Sequence, residues 1–142
     1  MNAREASLRT LALVGAFLAP LAAGAQERIE VFLVGDQRIA GAAGASRIYY
    51  IDMLAQQVEA MSAGLPPDPE RAIAIAMARV ENLGDADRSR LHRGAEIETL
   101  ARQYRLTKAP AMVVDGRAVI YGVNDVEHAR AIYRAWRARK GG

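Results

Sequence analysis

Two histidines and several closely spaced carboxylates are the residues of this sequence that could carry out acid-base or metal chemistry. His92 and His128 stand among charged residues, and neither has a second histidine or a cysteine four residues away. A zinc site needs three or four converging ligands, so this spacing predicts no metal site. Carboxylates two residues apart, such as Asp85 and Asp87, would point to different faces of a helix. We therefore predict that the protein is not an enzyme and has neither catalytic residues nor a cofactor.

Composition excludes further classes of function. The sequence contains no cysteine, which excludes disulfides and thiol chemistry. Its glycine-rich stretch "GAAGAS" precedes a strand pattern, whereas phosphate-binding loops lead into a helix N-terminus. The 19 basic and 16 acidic residues give a net charge of +3, and the arginines are scattered among acids. This pattern predicts a solvated surface and no nucleic-acid groove.

Residues 1–25 have the pattern of a secretory signal peptide. Arg4 and Arg9 precede an apolar stretch from Thr10 to Leu21, and residues 23–25 have the A-x-A form of a cleavage site. The stretch is shorter than the roughly 20 apolar residues that span a bilayer, although a retained anchor is the alternative. We expect cleavage after Ala25, a domain of residues 26–142, a periplasmic location and no stable membrane insertion after cleavage.

The rest of the chain alternates between strand and helix patterns. Residues 28–34 and 47–51 are rich in β-branched and aromatic residues, which predicts two strands joined by a loop over residues 35–46. Helical periodicity predicts helices over residues 52–65, 69–83 and 87–104, the second closed by Gly84. The narrow apolar face of the third helix predicts a place on the surface of the domain.

The last third of the chain has a clear pattern of a hairpin followed by a helix. Asp115 and Gly116 separate two apolar runs, Ala111–Val114 and Ala118–Tyr121, and Asp-Gly favours a type I′ turn with positive φ at both residues. A helix over residues 125–139 should follow. It is predicted to be capped by Asn124 with Glu127 and to bury Tyr133 and Trp136. The element order predicts one α/β domain with a mixed sheet, a C-terminal hairpin and helix, and helices inserted in the middle.

The stretch "TKAPAMVVDGRAVIYGV", residues 107–123, resembles the second half of the thioredoxin-like fold, in which a cis-proline loop faces redox cysteines. By that resemblance Pro110 is the cis-proline. The stretches "IEVFLV", "SAGLPPDPERA" and "APAMVVDGRAVIYGVNDVEHARAIYRAW" together resemble a family of exported integrating-conjugative-element proteins encoded with conjugative type IV secretion genes. Where redox relatives place Cys-x-x-Cys, this chain has "GDQRIAGAAGAS". The resemblance therefore implies a redox-inactive member.

The resemblance also implies a site for a protein partner of the conjugation apparatus. In redox relatives the cis-proline loop presents backbone groups to an extended peptide, so we expect peptide capture by strand addition near Ala109–Ala111. Tyr49 and Tyr50 are adjacent on a strand and must point to opposite faces. The candidate partner-binding residues are Lys108, Ala109, Pro110, Ala111, Tyr49, Tyr50 and Tyr121. The alternatives are a self-assembling structural subunit held by the alanine-rich helices of residues 52–83, and a cysteine-independent enzyme.

Overall fold

A computed structural model of the protein describes residues 26–141. The predicted signal peptide lies outside these described residues. None of the helices between residues 26 and 141 combines the length and the apolar character needed to cross a bilayer. In chain order the elements are β1 (Ile29–Leu33), a 3-10 helix (Ala42–Gly44), β2 (Arg47–Tyr50), α1 (Met53–Ser62), α2 (Pro69–Glu81), α3 (Asp85–Gln103), β3 (Ala111–Val114), β4 (Ala118–Tyr121) and α4 (Val126–Lys140).

The four strands form one mixed sheet in the order β2-β1-β3-β4. β1 pairs with β2 in parallel and with β3 antiparallel, and β3 pairs antiparallel with β4. The predicted α/β domain with a mixed sheet, a terminal hairpin and helix, and helices in the middle is therefore confirmed. The arrangement is compatible with the thioredoxin-like resemblance.

Two helices cover opposite faces of the sheet because alternate strand residues point to opposite sides. On one face α4 packs over a core that contains Ile29, Val31 and Leu33 of β1. On the other face α3 packs over Phe32, with Ala101 and Leu100 against it. β1 and β3 are buried along their whole length, whereas β2 and β4 form the edges of the sheet.

The hairpin forms as predicted. Asp115 and Gly116 have φ values of 53° and 66°, and the Arg117 N–H donates to the Val114 carbonyl at 3.0 Å. These are the features of a type I′ turn, for which Asp-Gly is well suited. The Ala109-Pro110 peptide bond, just before β3, is cis, as the resemblance implied.

Several predicted ends of helices were wrong, because a capping residue was assigned to the wrong helix or the cap was placed one residue too early. Gly84 does not close α2, which ends at Glu81; it is instead the N-cap residue of α3. Asn124 does not cap α4; Asp125 does, accepting a hydrogen bond from the His128 N–H at 2.9 Å. The predicted loop of residues 35–46 contains the short 3-10 helix and a bridge between Ala40 and Asp125.

Of two predictions of burial, one is confirmed and one is wrong. α3 lies on the outside of the domain, as predicted: of its 19 residues only Gly94, Ile97 and Ala101 are buried, and this narrow face packs toward α1 and the sheet. Trp136 keeps 37% of its surface exposed, whereas Tyr133 is buried as predicted. The position of α3 matters for function, because it forms a wall beside the β2 edge.

Candidate protein-binding edge

A groove runs along the free edge of β2. It has a volume of about 840 Å³ and lies between β2 and α3. Charged and apolar side chains of both elements line it, together with the neighbouring Ser46 and Met53: Arg47, Ile48, Tyr49, Tyr50, Arg93, Glu96, Ile97 and Leu100. Among residues 26–141, β2 pairs with β1 alone, so the backbone on its other side faces this groove.

The hydrogen-bond pattern shows which backbone groups of β2 are free. The Asp115 N–H donates to the Arg28 carbonyl, so the backbone of Arg28 bonds toward β3. Every second residue of β1 does the same, and the residues between them, such as Leu33, bond to β2. The Ile51 N–H donates to the Leu33 carbonyl at 2.9 Å, which continues that ladder beyond β2. Tyr49 and Arg47, two and four residues before Ile51, therefore also bond to β1. The backbone groups of the residues between them, Ile48 and Tyr50, point outward to the groove.

A buried carboxylate braces the strand-helix wall beside this edge. Glu30 is 7% exposed; it accepts hydrogen bonds from the Tyr104 hydroxyl at 2.7 Å and the Tyr49 hydroxyl at 3.3 Å. The Arg28 guanidinium lies 3.6 Å from the same carboxylate. Because Tyr104 belongs to the end of α3 and Tyr49 to β2, the carboxylate ties both to β1.

The two tyrosines remain donors in this cluster. The hydrogen bond to Glu30 raises the pKa of Tyr104, and burial, followed by the charge of Glu30, raises the pKa of Tyr49. Both hydroxyls therefore stay protonated at neutral pH. Sequence reasoning missed this cluster, although a lone carboxylate inside the apolar run "IEVFLV" was a usable signal, because buried carboxylates require partners.

The predicted site residues are spread from the β2 edge to the β4 edge of the sheet and into the loop before β3. Tyr49, Phe32, Ala111 and Tyr121 lie opposite one another in a row across all four strands, on the α3 face. Tyr50 points to the other face and is 38% exposed, which confirms that the two adjacent tyrosines face opposite ways. Lys108 places its Nζ 5.3 Å from the centre of the Tyr121 ring.

One residue of the predicted place of strand addition is enclosed by the sheet. Ala111 is fully buried and lies on β3, which pairs with Phe32 on one side and Tyr121 on the other. β3 therefore offers no free edge at Ala111, and an added strand cannot pair there. Ala109 and Pro110 are half-buried in the loop at the end of the sheet, and Lys108 is exposed there.

The candidate acid-base and metal residues do not converge. His92 and His128 are both exposed, on α3 and α4. Among residues 26–141 there is no group of three or more histidines, cysteines and carboxylates that could hold a metal ion.

An ion-pair cluster fixes the chain just ahead of β1. Glu27 accepts from Arg134 at 2.8 Å, and Arg130 Nη1 donates to it at 3.2 Å. The hydrogen bond from Arg134 is the main cause that lowers the pKa of Glu27 to about 2, against an opposing effect of burial. Arg130 also donates to the Gly44 carbonyl at 3.1 Å, so the cluster joins α4 to the 3-10 helix.

This cluster predicts a specific pH dependence of stability. A carboxyl whose pKa falls on folding stabilises the folded state above its unfolded pKa of 4.5, and this contribution is lost as the pH falls toward about 2. The midpoint of thermal unfolding should therefore differ most between the wild type and Glu27→Gln near neutral pH. The difference should shrink below pH 4.5. Glu59→Gln is the control, because Glu59 is an exposed residue of α1 that forms no ion pair with any residue of 26–141. A Glu27→Gln difference that does not change with pH would contradict the assignment.

Comparison with known proteins places the chain in a family. Residues 26–139 match the family model described as "Protein of unknown function (DUF1525)". The chain belongs to this family. No curated protein and no solved structure matches it. The match covers the whole sheet and nearly all of α4, so the β2 edge and its groove lie within the DUF1525 domain.

Proposed function

We propose that this DUF1525 protein is a redox-inactive, exported protein-binding module that serves the transfer apparatus of an integrating conjugative element. It binds an extended segment of its partner as an added strand along β2. The free backbone edge of β2 beside a groove of about 840 Å³ is the observation that supports this proposal. The signal-peptide pattern and the family resemblance support the periplasmic and conjugative context, and the missing cysteines support a role without redox chemistry.

The edge has the features that strand addition requires. The outward backbone groups of Ile48 and Tyr50 give an incoming strand its hydrogen bonds, and pockets for alternate side chains give selectivity. On the α3 side, such a strand would lie against Ile97 and Leu100. On the other side it would cover Ile48 and Tyr50, each 38% exposed. An apolar edge of this kind is a surface that folded proteins normally protect.

Charges in the groove favour a particular charge pattern in the added strand. Arg47, Arg93 and Glu96 line the groove, and none of them forms an ion pair among residues 26–141. A partner strand with an acidic residue facing the two arginines and apolar residues facing Ile48 and Tyr50 would complement the edge.

Photo-crosslinking in donor cells tests this proposal. A photoreactive phenylalanine analogue at Tyr50 should give an adduct with a component of the transfer apparatus. The same group at Lys108 tests the loop that the family resemblance favoured, and Arg71 on exposed α2 is the control position. Adduct at position 50 above that at 71 supports the edge. Adduct confined to position 108 would move the site to the loop, and no adduct with any secretion or pilus component would contradict the proposal.

One observation favours a second candidate, the self-assembling subunit. Ile73, Met77 and Val80 fall on one face of α2 and are each more than half exposed. If this face joins copies of the chain, light scattering should give a mass above that of the monomer, and Met77→Glu should restore the monomer. A monomer in the wild type would reject this candidate.

A further inference from the structure

The opposite edge of the sheet carries an apolar slot between β4 and α4. The slot has a volume of about 340 Å³. Three apolar side chains along it remain more than a third exposed: Val119 of β4 at 36%, and Ile132 and Trp136 of α4 at 37% each. Isolated exposed apolar residues need no explanation, but three that line one slot from two elements form a patch.

Unpaired cations surround this patch. Arg117 and Arg139 line the slot, and no acidic residue does. Lys140 lies 5.0 Å from the centre of the Trp136 ring, and Arg137 lies 5.8 Å from that of Tyr133. None of these four cations forms an ion pair within the described part of the chain. Three of them suit the negative end of the α4 dipole, but Arg117 stands on the hairpin and has no such explanation.

We propose that the β4-α4 slot docks the protein on a surface of anionic phospholipids. Such a surface presents phosphate groups at the level of the cations and hydrocarbon immediately below, which matches a tryptophan and aliphatic side chains ringed by arginine and lysine. The long cationic side chains can reach the phosphates while their stems cover the apolar patch. The patch is small, so binding should be reversible and weakened by salt.

This surface is independent of the proposed partner site. β2 and β4 are opposite edges of the four-stranded sheet, roughly 14 Å apart at the strand spacing of proteins. A protein docked through β4 and α4 would keep the β2 edge free for a protein partner.

Fluorescence provides a direct test because Trp136 is the single tryptophan of the chain. The protein is recovered from expressing cells, and its N-terminus is determined by mass. Vesicles with about equal parts of phosphatidylglycerol and phosphatidylcholine should shift its emission to shorter wavelength, whereas vesicles of phosphatidylcholine alone should not.

A matched pair of double variants distinguishes an effect of the slot on vesicle binding from an effect of net charge. Arg117→Glu with Arg139→Glu should lower the vesicle-bound fraction at least about tenfold in co-sedimentation. Arg38→Glu with Arg71→Glu, two exposed arginines elsewhere, changes the net charge equally and should lower binding less than about twofold. Thermal unfolding confirms that both remain folded.

Several results would overturn the proposal. They are an unchanged emission with anionic vesicles, equal binding to vesicles of phosphatidylcholine alone, and equal losses in the two double variants. An emission shift with polyglutamate but not with vesicles would also overturn it, since that would assign the slot to an acidic protein segment.

Discussion

Replacing Arg130 by methionine should lower the free energy of unfolding by about 3 kcal/mol. Arg130 is only 4% exposed, yet its guanidinium contacts four acceptors: a Glu27 carboxylate oxygen at 3.2 Å, the Glu27 carbonyl at 3.5 Å, the Gly44 carbonyl at 3.1 Å and a Glu127 oxygen at 3.4 Å. Methionine fills much of the same space but donates no hydrogen bond. The Gly44 carbonyl would then lose this donor, and the 3-10 helix would lose its tie to α4.

Arg134→Met is the matched control, because Arg134 binds the same Glu27 but has a side chain that is 61% exposed. Solvent screens the exposed guanidinium, so this change should cost less than Arg130→Met does, although it removes the main cause of the lowered pKa of Glu27. Urea denaturation of both variants measures the difference. Equal losses would show that burial of Arg130 is not what makes it important.

Replacing Gly94 by alanine should lower the free energy of unfolding by about 1–3 kcal/mol. A Cβ atom at Gly94 would lie 2.9 Å from the Leu54 backbone nitrogen and 3.0 Å from its Cα. These are backbone atoms of α1, so the whole helix would have to move away from α3. At an exposed helical position the same change would stabilise by roughly 0.5–1 kcal/mol, so the sign of the effect is diagnostic.

Gly84→Ala is the comparison for this effect: a Cβ there meets nothing within 4 Å, so the change carries only the smaller cost of alanine at an N-cap. It should change stability less than Gly94→Ala does, in the same denaturation experiment. A stabilised Gly94→Ala protein would contradict the close approach of α1 to α3. Because Gly94 follows Arg93 in the wall of the groove, the variant also tests how firmly that wall is held.

Local chemistry explains which parts of the fold could be predicted. The hairpin depends on Asp115 and Gly116 alone, since both need positive φ, and the helix after it has strong periodicity. The choice between Asn124 and Asp125 as N-cap could not be made from type, because both residues are good caps. In the structure Asp125 is the N-cap, and it also forms a β-bridge with Ala40. This bridge joins residues far apart in the chain, so local sequence does not predict it.

Pairing between distant strands explains what the sequence did not predict. β1 inserts between β2 and β3, which lie about 60 residues apart in the chain, and this order makes β2 an edge. The same order places β3 inside the sheet and removes Ala111 from reach of an added strand. Tyr49 and Tyr121 were found as candidates from their types. The sequence marks Glu30 as an unusual carboxylate, but its partners Tyr49 and Tyr104 are known only from the fold, in which α3 brings Tyr104 over it.

The two edges of the sheet suggest a division of roles. The β2 edge offers backbone groups and a mixed groove, which suit an extended polypeptide. The β4 edge offers an apolar slot with arginines, which suits an anionic surface. Partner capture at β2 is the central claim, and it depends on backbone groups rather than on any one side chain.

A proline at Ile48 tests that claim most directly. It removes the outward N–H of Ile48, which the domain's own ladder does not use, and edge strands tolerate such a proline. Ile48→Ala removes the same side chain but keeps the N–H. With the crosslinker at Tyr50, the partner adduct should fall at least about tenfold in Ile48→Pro and less than about twofold in Ile48→Ala, while both variants remain folded. Equal adduct in the two folded variants would show that the partner does not pair with the β2 edge.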